Sequence, residues 1–322
     1  MRVLQVCNVG QIVGGTAACA WSVTQALPGV MHRVAVLGPI DAATRAAFGT
    51  AVMQSVDRVP DDGWADVVLL HNTPPDRCGR LRTPSVLMRH SDVPHAAATR
   101  SVCCSRWLRD RLQLREPLLH QGVPRERSQR RGIGETLVVG RLCTPTARKW
   151  PGSLVAFYRG LAAACPHVRW EFVGCPDAMQ PPLREACGRV VFHAAGPTAR
   201  RHIGRWDALL YHHPTLPETF GRTVAEARLA GCIPIVDAAG GFLEQITPGT
   251  GFLCPTPGDF AAALQTLADP FLRRRMSLAA AADDRFTHSQ FGVRLRCLLV
   301  GCAGGDRGRG PGDRAVVRES IG

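Results

Sequence analysis

Short apolar runs rich in β-branched residues recur along the chain, and segments with helical spacing separate most of them. Arg2–Cys7 (Arg-Val-Leu-Gln-Val-Cys) reads as an opening strand. Gly14-Gly15 and a capping Thr16 then lead into a helix over Ala17–Leu27, which stops at Pro28. Further strands are expected over His32–Leu37, Asp66–Leu70, Ser85–Met88 and Ser101–Cys103, with a helix over Arg106–Leu112. Pro124 to Gly134 is polar and aperiodic, so it reads as a linker. A second series follows: strands at Thr136–Gly140, Arg169–Val173, Val190–His193, Ala208–Tyr211 and Ile233–Val236. Helices are expected at Pro151–Ala164, Thr219–Ala230, Phe260–Leu267, Asp269–Asp284 and Gln290–Val300. Gly301–Gly322, rich in Gly and Arg, reads as a disordered tail.

Strands alternating with helices mean βαβ units and parallel sheets. The pattern predicts two Rossmann-like, doubly wound α/β domains: residues 1–128, and 129–287 followed by a helix over 288–300 and the tail 301–322. Ligands in such sheets sit beyond the carboxyl ends of the strands. The loops 8–15, 141–149, 174–177 and 212–221 should therefore face a cleft between the domains.

Composition narrows the picture. A chain of 322 residues suits two domains at roughly 100–200 residues each. With 45% hydrophobic and 20% charged residues, it is not disordered, collagenous or coiled coil as a whole. The 13 cysteines contain no C-x-x-C pair, so they supply no zinc framework, and they read as reduced, mostly buried thiols of a cytoplasmic protein. Residues 3–31 carry no charge, but Asn8, Gly10, Gln11, Gly14 and Gly15 break the apolar run. Neither a signal peptide nor a membrane span is expected there. The net charge of +13 comes from 38 arginines and one lysine, Lys149, against 26 acids. Such an excess favours phosphate-bearing partners. Two tyrosines and six tryptophans leave few stacking platforms, and no recognition motif appears, so nucleic acid is not the expected partner.

The segment from Pro217 to Gly251 carries the chemistry. Glu218 stands before a predicted helix, Glu226 about two turns inside it, and Gly221 in its first turn. The first N–H groups of a helix are unpaired and its dipole end is positive, so a diphosphate can dock there. Two carboxylates beside it can accept bonds from vicinal hydroxyls. Together these features describe a nucleotide-sugar site.

Glu218 and Glu226, with Phe220-Gly221, Glu226-Ala227, Ala230-Gly231, Pro234, Gly240-Gly241, Glu244 and Gly249-x-Gly251, resemble the E-x7-E block of the GT-B-fold retaining glycosyltransferases, glycosyltransferase family 4 (glycosyl transferases group 1). Val139-Gly140-Arg141-Leu142 resembles the strand that opens that family's nucleotide domain. Gly14-Gly15 resembles its phosphate-approaching loop, and His90 its histidine near the sugar. Ser105 and Gln121-Gly122-Val123 resemble landmarks that end its acceptor domain, with Gln121 in place of Asn. The resemblance implies a GT-B fold and metal-independent transfer from a nucleotide-diphospho-sugar to a glycan, lipid or small-molecule acceptor, with no cofactor. It implies catalytic roles for Glu218, His90, Arg141 and Lys149. Glu226 would hold the ribose, Glu218 the sugar hydroxyls, and Arg141 and Lys149 the diphosphate. Gly14, Gly15, Phe220, Gly221, Arg222 and Thr223 would complete the donor site.

The family's lysine position is Ala147 here, so its role is carried to Lys149, with Arg148 as rival. His71-Asn72-Thr73 is either acceptor-facing or a polar turn. Arg200-Arg201 and Arg273-Arg274-Arg275 read as solvated helix faces. A peripheral contact with the inner face of a membrane stays open. The main rival is a degenerate, non-catalytic relative that binds a nucleotide sugar or a protein; a sugar-nucleotide epimerase, a nucleic-acid binder and a glycosidase fit the motifs less well.

Overall fold

The computed structural model describes residues 1–49, 51–126, 136–196 and 198–304. The first half runs β1 (Arg2–Cys7), α1 (Gly15–Ala26), β2 (Met31–Val36), α2 (Ala42–Phe48), β3 (Val52–Ser55), β4 (Val67–His71), β5 (Ser85–Arg89), β6 (Arg100–Cys103) and α3 (Arg106–Arg111). The second runs β7 (Leu137–Leu142), α4 (Leu154–Ala164), β8 (Val168–Val173), α5 (Gln180–Cys187), β9 (Val190–His193) and β10 (Ala208–Tyr211). It continues through α6 (Arg222–Leu229), β11 (Ile233–Asp237), α7 (Phe242–Gln245), β12 (Phe252–Cys254), α8 (Pro257–Thr266), α9 (Pro270–Ala282) and α10 (His288–Gly304).

Each half forms a six-stranded sheet, and every paired strand is parallel. The orders are β3-β2-β1-β4-β5-β6 and β12-β11-β10-β7-β8-β9. Numbered within its own half, the second sheet repeats the order of the first, the doubly wound dinucleotide-binding order. The order reverses between β1 and β4 in one sheet and between β7 and β10 in the other. A crevice opens at such switch points. The loops after β1, β7 and β10 are three of the segments expected at the cleft.

Strand interiors such as Val67–His71 are buried throughout, as a parallel sheet covered on both faces requires. The second half packs Trp150, Trp170, Phe172 and Trp206 into one large core. The first is completed by the end of the chain: Phe291, Leu295, Leu299 and Cys302 of α10 pack with Val3, Val23, Val67 and Val86. Helix α10 thus crosses back onto the first sheet.

Two expectations need correction. The tail does not start at Gly301, because Gly301–Gly304 continue α10: Cys302 is buried, and the Gly301 carbonyl accepts from Arg100 Nη2 at 3.0 Å. The rest of the expected tail, and most of the Pro124–Gly134 linker with the 128/129 boundary, lies outside the described residues. Helix α6 begins at Arg222, three residues later than expected, because Gly221 adopts φ +83° and is its cap rather than part of its first turn. The short pieces α2, α5, α7, β3 and β12 escaped the periodicity reading. Among the described residues, no helix is long and apolar enough to cross a membrane.

Candidate functional site

A cleft of about 920 Å³ lies between the two sheets. It is lined from the first half by Gly14, Gly15, Asn72, His90 and Gln121, and from the second by Arg148, Lys149, Arg200, Tyr211, Glu218, Phe220, Gly221, Arg222, Thr223 and Glu226. Of the residues expected to have catalytic or donor-binding roles, all but Arg141 line its walls.

Glu218 is held by the backbone around it. Gly241 N–H donates to the Glu218 carbonyl at 2.8 Å. A Cβ at Gly240 would come within 2.3 Å of that carbonyl, and one at Gly241 within 2.5 Å of the Thr219 oxygen. The Gly-Gly pair therefore lets one loop lie flat against the loop that presents the carboxylate. A Cβ at Gly221 would lie 2.3 Å from the Phe242 ring, so sterics and its left-handed backbone both demand glycine there.

The Lys149 ammonium contacts Glu218 Oε1 and lies 3.4 Å from the Tyr211 hydroxyl, which donates to the same oxygen. Burial, with Cys143 and Glu218 adding to it, pushes the Tyr211 phenol far above its ordinary range, so it stays a donor. Arg148 is exposed at the cleft.

Arg141 departs from its expected place. It is 0% exposed, and its guanidinium lies between the Trp150 and Tyr211 rings, 4.9 and 4.8 Å from their centroids. Nη1 donates to the His212 carbonyl and Nη2 to the Lys149 carbonyl, both at 2.9 Å. It braces the loop that carries Lys149. His213 works beside it: Nδ1 accepts the Leu216 N–H at 2.9 Å, which leaves Nε2–H to donate to the Arg148 carbonyl at 2.8 Å. Burial lowers the His213 pKa, which suits this neutral tautomer.

Glu226 is 3% exposed and accepts from Arg200 Nε at 3.0 Å, with Arg222 Nη2 at 3.7 Å. Arg200 is therefore no solvated helix residue, and neither is Arg273, which is 0% exposed and lies 3.8 Å from Asp207. Arg222 opens α6 and reaches across to the first half. It donates to Gln121 Oε1 at 3.2 Å, the Gly122 carbonyl at 3.0 Å and Ser22 Oγ at 3.0 Å.

His90 lines the cleft, but both ring nitrogens are taken. With Gln121 Oε1 accepting from Arg222, the amide Nε2 faces His90 Nδ1 at 2.9 Å. His90 Nε2–H then donates to His71 Nδ1 at 3.1 Å, and His71 Nε2–H to Gln5 Oε1 at 3.1 Å. Burial holds both imidazoles neutral, lowering His71 to about 3 and His90 well below the usual range. The expected catalytic histidine is thus a link in a one-way hydrogen-bond chain, while its carbonyl accepts Thr219 Oγ1 at 2.7 Å. His71 and Thr73 are fully buried, while Asn72 turns with φ +48° and lines the cleft.

Sequence reasoning passed over Tyr211, Arg200 as a cleft residue, and His213. The one available signal was position: Tyr211 closes β10, His213 follows it, and Arg200 follows β9.

No protein-family model and no curated relative matches the chain. Solved structures do. The Anabaena protein Alr3699/HepE, determined with UDP-glucose, superposes with a TM-score of 0.72 over 94% of this chain and 100% of its own, at 16% identity. The fold is GT-B. A Rickettsia africae glycosyltransferase matches at TM-score 0.71, 13% identity, and 94% and 98% coverage. The lipopolysaccharide outer core galactosyltransferase WaaB, in its apo form, matches at 0.65, 12%, and 94% and 99%. The GT-B cleft is the crevice between the two sheets, where Lys149, Glu218 and Glu226 converge.

Proposed function

We propose that the protein is a retaining, metal-independent glycosyltransferase of the family 4 type that takes its sugar from a nucleotide-diphospho-sugar. The observation that carries this reading is the pairing inside the GT-B cleft: two acids of the α6 segment, Glu218 and Glu226, each rest on a cation, Lys149 and Arg200. A donor brings both complements. Its ribose hydroxyls replace the Arg200 guanidinium on Glu226, its sugar hydroxyls bind Glu218, and its diphosphate draws Lys149, Arg148 and the released Arg200. Backbone N–H groups at the starts of α1 and α6 add to this charge compensation.

Stabilising charge as it develops on the leaving diphosphate supplies the largest catalytic term. The acceptor hydroxyl attacks from the face the leaving group departs, and a phosphate oxygen takes its proton. His90 is left with no acid–base role. The fold likeness to a protein that binds UDP-glucose makes a uridine diphosphate sugar the first donor to try.

A thermal-shift panel of UDP-, GDP- and ADP-sugars should give one clear stabiliser, since a ligand bound only by the native state raises its stability. With that donor, the purified protein should release nucleoside diphosphate in the presence of acceptor, and Glu218→Ala should abolish the release. Donor binding without release from any acceptor panel would establish a non-catalytic binder instead.

A further inference from the structure

A second group of ligand-type side chains converges outside the cleft, where neither donor nor acceptor chemistry uses it. Glu171, midway along β8, is 6% exposed. Its Oε2 accepts the Trp206 indole N–H at 2.9 Å, and its Oε1 accepts from Arg169 Nη2 at 2.5 Å. His193 closes β9, and its Nε2 is buried without a hydrogen bond, 3.4 Å from Glu171 Oε2. The His202 ring packs on that of His193 with centroids 4.0 Å apart. One ligand atom from each of the three residues lies within 4.8 Å of the others. None of the three lines the cleft.

We propose that Glu171, His193 and His202 bind one borderline divalent cation of the zinc type, with solvent completing the coordination. Two imidazoles and a carboxylate suit zinc and its neighbours better than magnesium or calcium. Tetrahedral bonds of about 2.0–2.2 Å place adjacent ligand atoms about 3.3–3.5 Å apart. His193 Nε2 and Glu171 Oε2 already stand at that separation, 3.4 Å. The Trp206 N–H holds the carboxylate in position, as an outer-shell donor does in metal sites.

Arg169 opposes the cation. Its side chain is half exposed and bonds the other carboxylate oxygen, so it must turn into water when the metal enters. The buried trio Cys19, His71 and His90 is equally close-set but does not compete. Its imidazoles spend their nitrogens on the Gln121-to-Gln5 chain, and burial pushes the Cys19 thiol up to about 12.

The site ties β8 and β9 to the 3-10 turn Ala199–Arg205, which also carries Arg200, the partner of Glu226. Metal loading would stiffen the segment that holds the buried acid.

The test uses untagged full-length protein, dialysed against chelator and titrated with Co²⁺. One equivalent should bind with the intense visible bands of tetrahedral cobalt, and Zn²⁺ should displace it and raise the melting temperature. His193→Gln and His202→Gln should each weaken binding beyond the roughly 100-fold that bounds outer-shell changes. Arg169→Ala should tighten it, and Cys19→Ala should leave it unchanged. Both histidines are partly exposed, so metal-free melting of the variants should match the parent and confirm that they fold. The proposal is overturned by the absence of a stoichiometric site, by binding that survives both histidine substitutions, or by binding lost in Cys19→Ala.

Discussion

Arg141 near the end of β7 and Lys149 in the loop that follows are both basic, yet burial separates their roles. Removing the Arg141 side chain strands two partly buried carbonyls, each costing up to about 1–3 kcal/mol, and empties the space between two aromatic rings. Arg141→Ala should therefore lower the melting temperature sharply. Lys149→Ala should leave it nearly unchanged while weakening donor binding at least tenfold by calorimetry, and unchanged affinity would remove Lys149 from the diphosphate site. The His90–His71 chain makes a different claim. Both imidazoles are neutral when folded and regain an ordinary pKa near 6.5 when unfolded. A depressed native pKa means that the unfolded state takes up protons first as pH falls. Stability should decline from about pH 6.5 downward, by up to about 1.4 kcal/mol per pH unit for each imidazole. Denaturant melts between pH 7 and 5 measure this, and a slope unaltered in His71→Gln would refute it. The spacing of Glu218 and Glu226 was legible because it belongs to one stretch of chain. The orientation of Arg141 was not, since it depends on Trp150 and Tyr211 closing over it.

At the scale of elements, α1 begins where a ligand should come closest. A Cβ at Gly15 would meet no atom within 4 Å, so packing does not demand glycine at that position. Alanine is the better helix former by up to about 0.5–1 kcal/mol. Gly15→Ala should thus raise the melting temperature slightly while weakening donor binding, because Gly15 lines the cleft at the turn proposed to receive the donor phosphate. Equal or tighter donor affinity in that variant would show that no phosphate approaches this turn. Most element types were legible from periodicity, and Val190–His193 and Ala208–Tyr211 occur at their expected limits. Edge strands such as β3 were not, because four residues are too few to show a period. The start of α6 shifted because a left-handed glycine is a tertiary requirement, imposed by Phe242.

At the scale of the molecule, the halves are joined by more than the chain. Arg222 spans to Ser22, Gln121 and Gly122, and Thr219 to the His90 carbonyl. Glu244 of α7 accepts the Arg106 N–H at the start of α3 at 2.8 Å and the His120 ring at 2.8 Å. An apolar cluster of Leu108, Val123, Phe220, Leu229 and Phe286 seals the junction. Glu244→Ala removes one of these ties without touching the Glu218 or Glu226 pairs. Small-angle scattering should then give a larger radius of gyration and kinetics a lower kcat, with donor affinity held within twofold. An unchanged radius and kcat would show that Glu244 does not hold the closed arrangement.

By itself the sequence determined the βαβ alternation, the two sheets, the loops at the strand ends and the acid pair before and within one helix. Periodicity, turn residues and motif spacing are properties of neighbouring residues and survive in the unfolded chain. Only the tertiary structure decided which cation each acid meets, that Arg141 lies between Trp150 and Tyr211 and braces the Lys149 loop, and that His90 passes its nitrogens to Gln121 and His71. Those outcomes depend on burial and on partners tens to hundreds of positions away, such as Gln5 beside His71 and Ser22 beside Arg222, whose proximity exists only once both sheets have formed and closed.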